Sequence, residues 1–302
     1  MLKLRIIKMV CAFFPPILAQ KMRSIFISIK DATKIDYEFK RKSFTGSFFY
    51  GNIKDFHAFK FYIHGYFDWR NIILTKTILK FKKGCVVEVG ANIGTETISF
   101  SDICLDNVYA FEPYEQNYSE IINQKQKNKR TNLFVFKKAA SDFVGQAQFN
   151  IPSIDSSGSG SIVSINEKLS KDKVTVEVTT LDEELKNVDD FSTIVIDVEG
   201  NEYNVLKGSK NIIKNHKPFI ILEVNKKLLN ATKNNEFVEM YNFINSFEYE
   251  MFHIKKIGLE KVNVNNFKKF ENKNCVCIPK EYSNKKTLLS FSILKFSLNP
   301  FN

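Results

Sequence analysis

The chain has 302 residues, 44% of them hydrophobic and 25% charged, with a formal net charge of +11. That composition is ordinary for a globular protein with a buried core, and no repeat at solenoid periods and no low-complexity tract stands out. The charge is uneven, with 17 Lys or Arg against 5 Asp or Glu in residues 1–84 and 24 against 27 in 85–280, so the surplus belongs to the ends rather than the centre.

The first twenty residues, MLKLRIIKMVCAFFPPILAQ, hold an apolar run over 9–19 interrupted by Pro15 and Pro16. It is too short to span a bilayer and lacks the uninterrupted core of a signal peptide. A packed helix and an amphipathic segment lying on an acidic membrane explain it equally well. Five cysteines, an odd number with no C-x-x-C pair, argue against a disulfide framework and structural zinc. They fit a reducing compartment, so a cytoplasmic location is expected, with peripheral contact to the inner face of the membrane left open.

From Asp68 onward, helical and extended patterns alternate. A helix is predicted over 68–82 and a strand over 85–89. Helix 93–103, strand 107–112, helix 114–127 and strand 133–139 follow. After an interruption come strand 193–198, helix 202–214, strand 218–224, helix 235–246 and strands 248–254 and 273–279. Continuous apolar strands between helices predict a doubly wound α/β domain around a parallel sheet. The interruption, 143–180, reads as a hairpin inserted at the sheet edge, with the Ser/Gly-rich loop SIDSSGSGS at its tip. The expected division is a basic extension over 1–60, the α/β domain over 61–280 and a basic tail over 281–302.

In such sheets the ligand lies at the carboxyl ends of the strands. The first strand reads VVEVGANIG. Its G-x-x-x-G spacing matches neither the dinucleotide fingerprint nor a P-loop. Glu88 disfavours a pyrophosphate and favours positive charge. Gly90 lets backbone come close to a ligand, and Asn92 offers both a donor and an acceptor. The second strand ends in AFEP, placing Glu112 to accept from ribose hydroxyls. A ribonucleoside with a cationic tail and no phosphate satisfies both acids, and S-adenosylmethionine is such a molecule. The cofactor-binding set is therefore Glu88, Gly90, Ala91, Asn92, Gly94, Glu112, Pro113, Ala140 and Asp197.

Asp197 and Glu199, near the end of the fourth strand, are the candidate bases for deprotonating an attacking hydroxyl, and share a face if the strand persists. Glu202 suits the first turn of the next helix. Glu223 and Ser157 are candidate acceptor contacts. Glu223 and Asp197 could also join around a divalent ion, but two acids are a slight signal and no metal is assigned. Tyr66, Phe67 and Trp69 are considered as sugar-stacking rings, against the simpler reading that they are core. His57, His64, His216 and His253 have no metal-ligand spacing.

VVEVGANIG, VYAFEP, KKAASD, TTLDE, IVIDVEGNEYNVLKG and PFIILEVN occur in that order. Over residues 60–255 the chain resembles the FkbM-type S-adenosylmethionine-dependent methyltransferases. The family usually has Asp where this chain has Glu88, which preserves the charge. The resemblance implies a Rossmann-like, seven-stranded class I sheet and methyl transfer to a hydroxyl, often of a sugar or glycan. A Lys, Asn and Ile bias suggests an AT-rich, bacterial genome and polysaccharide modification. Two alternatives stay open. A nucleic-acid methyltransferase would want an Asn/Asp-Pro-Pro-aromatic loop where this chain reads DVEG. A non-catalytic binding module would keep the fold without the turnover.

Overall fold

The computed structural model describes residues 2–153, 156–162, 172–224, 236–263 and 273–299. Its N-terminal part folds as α1 (Leu2–Ala12), α2 (Pro16–Phe26), the short α3 (Ile29–Ala32), a hairpin of β1 (Glu38–Lys42) and β2 (Phe48–Asn52), then α4 (Phe56–His64) and α5 (Trp69–Ile78). Asp55 caps α4 by accepting from the Ala58 N–H at 2.8 Å, and Asp68 caps α5 through the Arg70 N–H at 2.9 Å. Leu4, Ile7, Phe49, Phe59 and Phe61 bury together with Ile93 and Ile98 further along the chain. Each wholly buried Phe contributes about 1.5–3 kcal/mol, so this layer is held firmly against the loop that carries the site.

The alternation continues as β3 (Cys85–Val89), α6 (Thr97–Ile103), β4 (Val108–Phe111), α7 (Glu115–Lys127) and β5 (Leu133–Phe136). In place of the hairpin expected at the sheet edge, β7 (Gly145–Asn150), β8 (Ser161–Ile162) and β9 (Lys173–Thr179) of the insertion join β6 (Ala139–Ala140), just before it, in a separate four-stranded sheet in the order β6-β9-β7-β8. Then come α8 (Leu181–Glu184), β10 (Phe191–Ile196), α9 (Glu202–Lys207), α10 (Lys210–His216), β11 (Phe219–Val224), α11 (Glu236–Ser246), β12 (Tyr249–Lys255), β13 (Gly258–Lys261), β14 (Lys273–Pro279) and α12 (Lys286–Leu298).

The main sheet runs β13-β12-β14-β11-β10-β3-β4-β5. β5, β4, β3, β10 and β11 are parallel, whereas β14 is antiparallel to both β11 and β12. The sheet thus has eight strands where seven were expected, because β13 is added at one edge as the second arm of a hairpin with β12. Every residue of β3 and β10 is buried, which is why both read as unbroken apolar runs. Chain order reverses between β3 and β10, so the crevice opens at their carboxyl ends.

Three of the boundaries that differ from the sequence pattern bear on the site. The fourth strand covers Phe191–Ile196, two residues earlier than predicted, so Asp197 and Glu199 lie beyond it and do not share a strand face. The helix expected from 93 starts at Thr97, because Asn92 and Gly94, at φ 52° and 83°, first turn the chain. The helix over 202–214 breaks at Gly208, where a Cβ would fall 1.9 Å from the Ser141 carbonyl oxygen. The five cysteines are free and buried.

Candidate active site

The site grows from the turn after β3. The N–H groups of Gly90 and Ala91 both donate to the Phe111 carbonyl, at 3.0 and 3.1 Å, which folds the glycine loop across the end of β4. Gly90 has φ 85°, and a Cβ there would lie 1.8 Å from the Asp197 carbonyl oxygen. The space the missing side chain leaves is thus taken by the backbone after β10. Asn92 presents its N–H to Glu112 Oε2 at 2.9 Å, and the Tyr114 N–H reaches Oε1 at 2.9 Å. Gly94 lines no part of the crevice; a Cβ there would meet Ile121 Cγ1 at 3.3 Å.

The crevice has two communicating halves. Phe111, Glu112, Pro113, Ala140, Ser157 and Asn201 are among the residues lining the smaller, of about 490 Å³. Glu88, Ala91, Glu96, Glu199, Glu223 and Arg70 are among those lining the larger, of about 1220 Å³. Val89, Gly90, Asn92, Gly158 and Asp197 line both. The structure therefore brings the sequence-derived candidates into one crevice, Gly94 excepted, with Glu88 and Glu112 at opposite halves.

Acidity dominates the walls. Glu88 and Glu112 are each 5% exposed. Burial pushes the Glu88 carboxyl up to about 8, with the charge of Glu112 adding to the rise and the Thr97 hydroxyl opposing it. Burial likewise lifts Glu112 to about 8, against the Tyr114 and Asn92 N–H groups. Asp197 keeps contact with solvent on the crevice floor. Crowding by protein, then the negative charges of Glu223 and Glu199, raise it well above the usual carboxylate range. Glu223 is raised chiefly by its own burial, while a hydrogen bond with Asp197 pulls the other way. Carboxylate oxygens of Asp197, Glu199 and Glu223 lie within 4.8 Å of one another, a set of hard donors that could hold a divalent ion. Asn225, two residues after Glu223, lies outside the described residues.

The post-strand turn creates this cluster: Glu199 and Gly200 take φ 53° and 108° and double the chain back. Glu202 braces the turn, its Oε1 accepting from the Gly200 N–H at 3.0 Å, and burial pushes its carboxyl up to about 7.

Several lining residues carried no sequence signal. His57 and Lys60 arrive on α4, and Arg70 and Asn71 on α5. Lys60 Nζ sits 4.1 and 4.6 Å from the ring centroids of Phe56 and Phe67, and burial pushes its ammonium down to about 8. Arg70 is paired with Asp68 at 2.6 Å. The tip of the insertion crosses between the halves and is fastened on two sides. The Ser157 N–H donates to Asp55 Oδ2 at 2.9 Å, and Asn117 Nδ2 donates to the Ser157 carbonyl at 3.0 Å. Ser157 Oγ also lies 3.4 Å from His57 Nδ1. Of the three aromatic candidates, Tyr66 and Trp69 are 3% and 2% exposed and belong to the core; Phe67 lines the larger half.

These features fit S-adenosylmethionine. A cationic ligand with hydroxyl donors would offset the desolvation of the two buried carboxyls. Asn92 Oδ1 is buried with no hydrogen-bond partner among the described residues, at the junction of the halves.

The family description "Methyltransferase FkbM domain" matches residues 88–251. Among solved structures, the chain is similar to the methyltransferase FkbM of Methylobacillus flagellatus KT, at 16% identity and a TM-score of 0.43, over 65% of this chain and 43% of that one. It thus spans less than half the length of that protein. It is also similar to an O-methyltransferase from Bacillus cereus in complex with SAH, at 11% identity and a TM-score of 0.43, over 70% and 82% of the two chains. A third similarity is to an rRNA methylase from Streptococcus thermophilus, at 10% identity and a TM-score of 0.40, over 68% and 92%. No curated protein matches the sequence.

Proposed function

The chain belongs to the FkbM methyltransferase family, and from that premise we propose that it is an S-adenosylmethionine-dependent methyltransferase that acts on a hydroxyl of a saccharide or a similar small molecule. The observation that carries the reading is the acid cluster Asp197, Glu199 and Glu223 on the floor of the larger, polar half of the crevice, adjoining the half that holds Glu112.

S-adenosylmethionine supplies an electrophilic methyl group on a sulfonium. Glu112 retains lone pairs beyond those occupied by two backbone N–H groups, and these accept from the ribose hydroxyls. Glu88 offsets the positive charge of the amino-acid end, with Glu96 beside it in the larger half. Pro113 and Ala140 wall the smaller half without a polar demand of their own. Glu199 or Asp197 takes the proton of the acceptor hydroxyl, a role worth about 10²–10⁴-fold. Holding the two reactants in line contributes up to roughly 7–11 kcal/mol more. The fastened tip at 156–160 keeps water from the junction of the halves.

The test is transfer of label from S-adenosylmethionine to pooled soluble glycans, with RNA and DNA in parallel. Label is expected in glycans as base-stable ethers. Glu199→Gln should lower turnover while donor affinity stays within about threefold, since the base acts on the acceptor. Label confined to nucleic acid, or donor binding with transfer to no acceptor, overturns the reading.

A further inference from the structure

Residues 1–30 contain Lys3, Arg5, Lys8, Lys21, Arg23 and Lys30, and the first acid of the chain is Asp31. α1 buries Leu4, Ile7 and Cys11. Leu2, Ile6, Met9 and Phe13 are 74%, 47%, 58% and 70% exposed. Their spacing of four, three and four residues makes one stripe at 3.6 residues per turn, and that stripe lies opposite the buried one. α1 and its C-terminal continuation are therefore apolar on two faces, of which the core consumes only one. Single exposed apolar residues need no explanation, but an aligned stripe does. Leu18 and Ile25, two turns apart on α2, are also exposed, at 47% and 74%.

A cationic groove adjoins the stripe. Arg5 and Lys8 of α1 line it together with Lys40 and Arg41 of β1 and the rings of Tyr37 and Tyr62, and none of its lining residues is acidic. Met9 belongs to both the groove and the stripe. No helix among the described residues is long and apolar enough to cross a membrane.

We propose that α1 and α2 dock on an anionic lipid surface, with Ile6, Met9 and Phe13 entering the boundary between headgroups and acyl chains and Arg5 and Lys8 meeting lipid phosphates. An apolar stripe flanked by cations is what such a surface binds. Charge decides against a second copy as the occupant: a self-complementary contact would press the two acid-free basic segments together. The inference is independent of which acceptor is methylated.

The experiment is co-sedimentation of the full chain with vesicles of phosphatidylcholine alone and of phosphatidylcholine mixed with phosphatidylglycerol. Binding to the mixed vesicles only, weakened by added salt, is expected. Ile6→Ser, Met9→Ser and Phe13→Ser together should weaken it by about tenfold or more, with melting temperature and S-adenosylmethionine affinity unchanged because those side chains face outward. Should the triple variant melt early, Arg5→Glu replaces it, with the same expected loss. Binding to neither vesicle, equal binding to both, or undiminished binding by the variants overturns the proposal. So does a dimer that the triple variant dissociates in the absence of vesicle binding, or binding only to an acidic protein.

Discussion

The backbone N–H of Asn92 donates to Glu112 Oε2 at 2.9 Å, tying the turn after β3 to the acid beyond β4. With Tyr114 on the other oxygen, Glu112 both supports the turn and faces the crevice. Glu112→Gln turns one of these acceptors into a donor, so one backbone N–H is left facing an NH₂. We expect a stability loss of about 1–3 kcal/mol and an S-adenosylmethionine affinity lower by about ten- to a hundredfold. Denaturant titration and calorimetry measure the two effects separately. Unchanged affinity would remove Glu112 from the donor site.

The raised carboxyls set a pH dependence. Glu88 and Glu112 sit at about 8 in the folded, donor-free protein, against an ordinary value of 4.5. A raised acid favours the folded state fully below its unfolded pKa, and that contribution is lost as pH rises through the folded one. Their share of stability therefore falls between about pH 4.5 and 8. A cationic donor prefers both groups ionised, so its binding should expel protons near pH 7 and tighten toward pH 8. Binding heats in two buffers of different ionisation enthalpy count those protons; proton uptake, or none, contradicts the assignment.

Periodicity made the sheet legible. CVVEV, FSTIVI and FIILEV are buried on both faces and so show no polar alternation. Glu88 and Glu112 were legible as crevice residues because each sits at the carboxyl end of an apolar strand of the parallel sheet. The cluster around Asp197 was only half legible. Its geometry comes from left-handed backbone at Glu199 and Gly200, not from strand alternation, and residue types alone do not specify that turn. His57, Lys60 and Arg70 were illegible as site residues. They reach the crevice only because Phe49, Phe59 and Phe61 pack the N-terminal layer onto Ile93 and Ile98, a tertiary contact with no local pattern.

Two glycines of one loop should respond differently. Gly90→Ala drives a methyl into the Asp197 carbonyl at a φ of 85°, where the obstacle is backbone. That substitution should cost about 3 kcal/mol or more and displace Asp197, abolishing turnover. Gly94→Ala meets only Ile121, at 3.3 Å, with φ 83°. Its cost should be about 1–2 kcal/mol, the ordinary penalty of left-handed backbone, with donor binding retained. Urea titration of both variants gives the comparison; equal losses would mean that the contact with Asp197 is not what demands glycine at 90.

Gly158 tests whether the tip of the insertion works as part of the site. An added Cβ would lie 2.7 Å from His57 Cε1, 2.8 Å from Nε2 and 3.1 Å from Asn92 Nδ2. All three atoms belong to side-chain ends lining the crevice, so the protein can yield by turning His57 or lifting the tip, at a global cost of about 1 kcal/mol or less. Either movement disturbs the junction of the two halves, where Ser157 is held by Asp55 and Asn117. Misplacement on the order of 1 Å costs about a hundredfold in a positioned reaction. Gly158→Ala should therefore keep its melting temperature within a few degrees and lose ten- to a hundredfold in kcat. Full activity in that variant would reduce 156–160 to a surface turn and leave the exclusion of water to other residues.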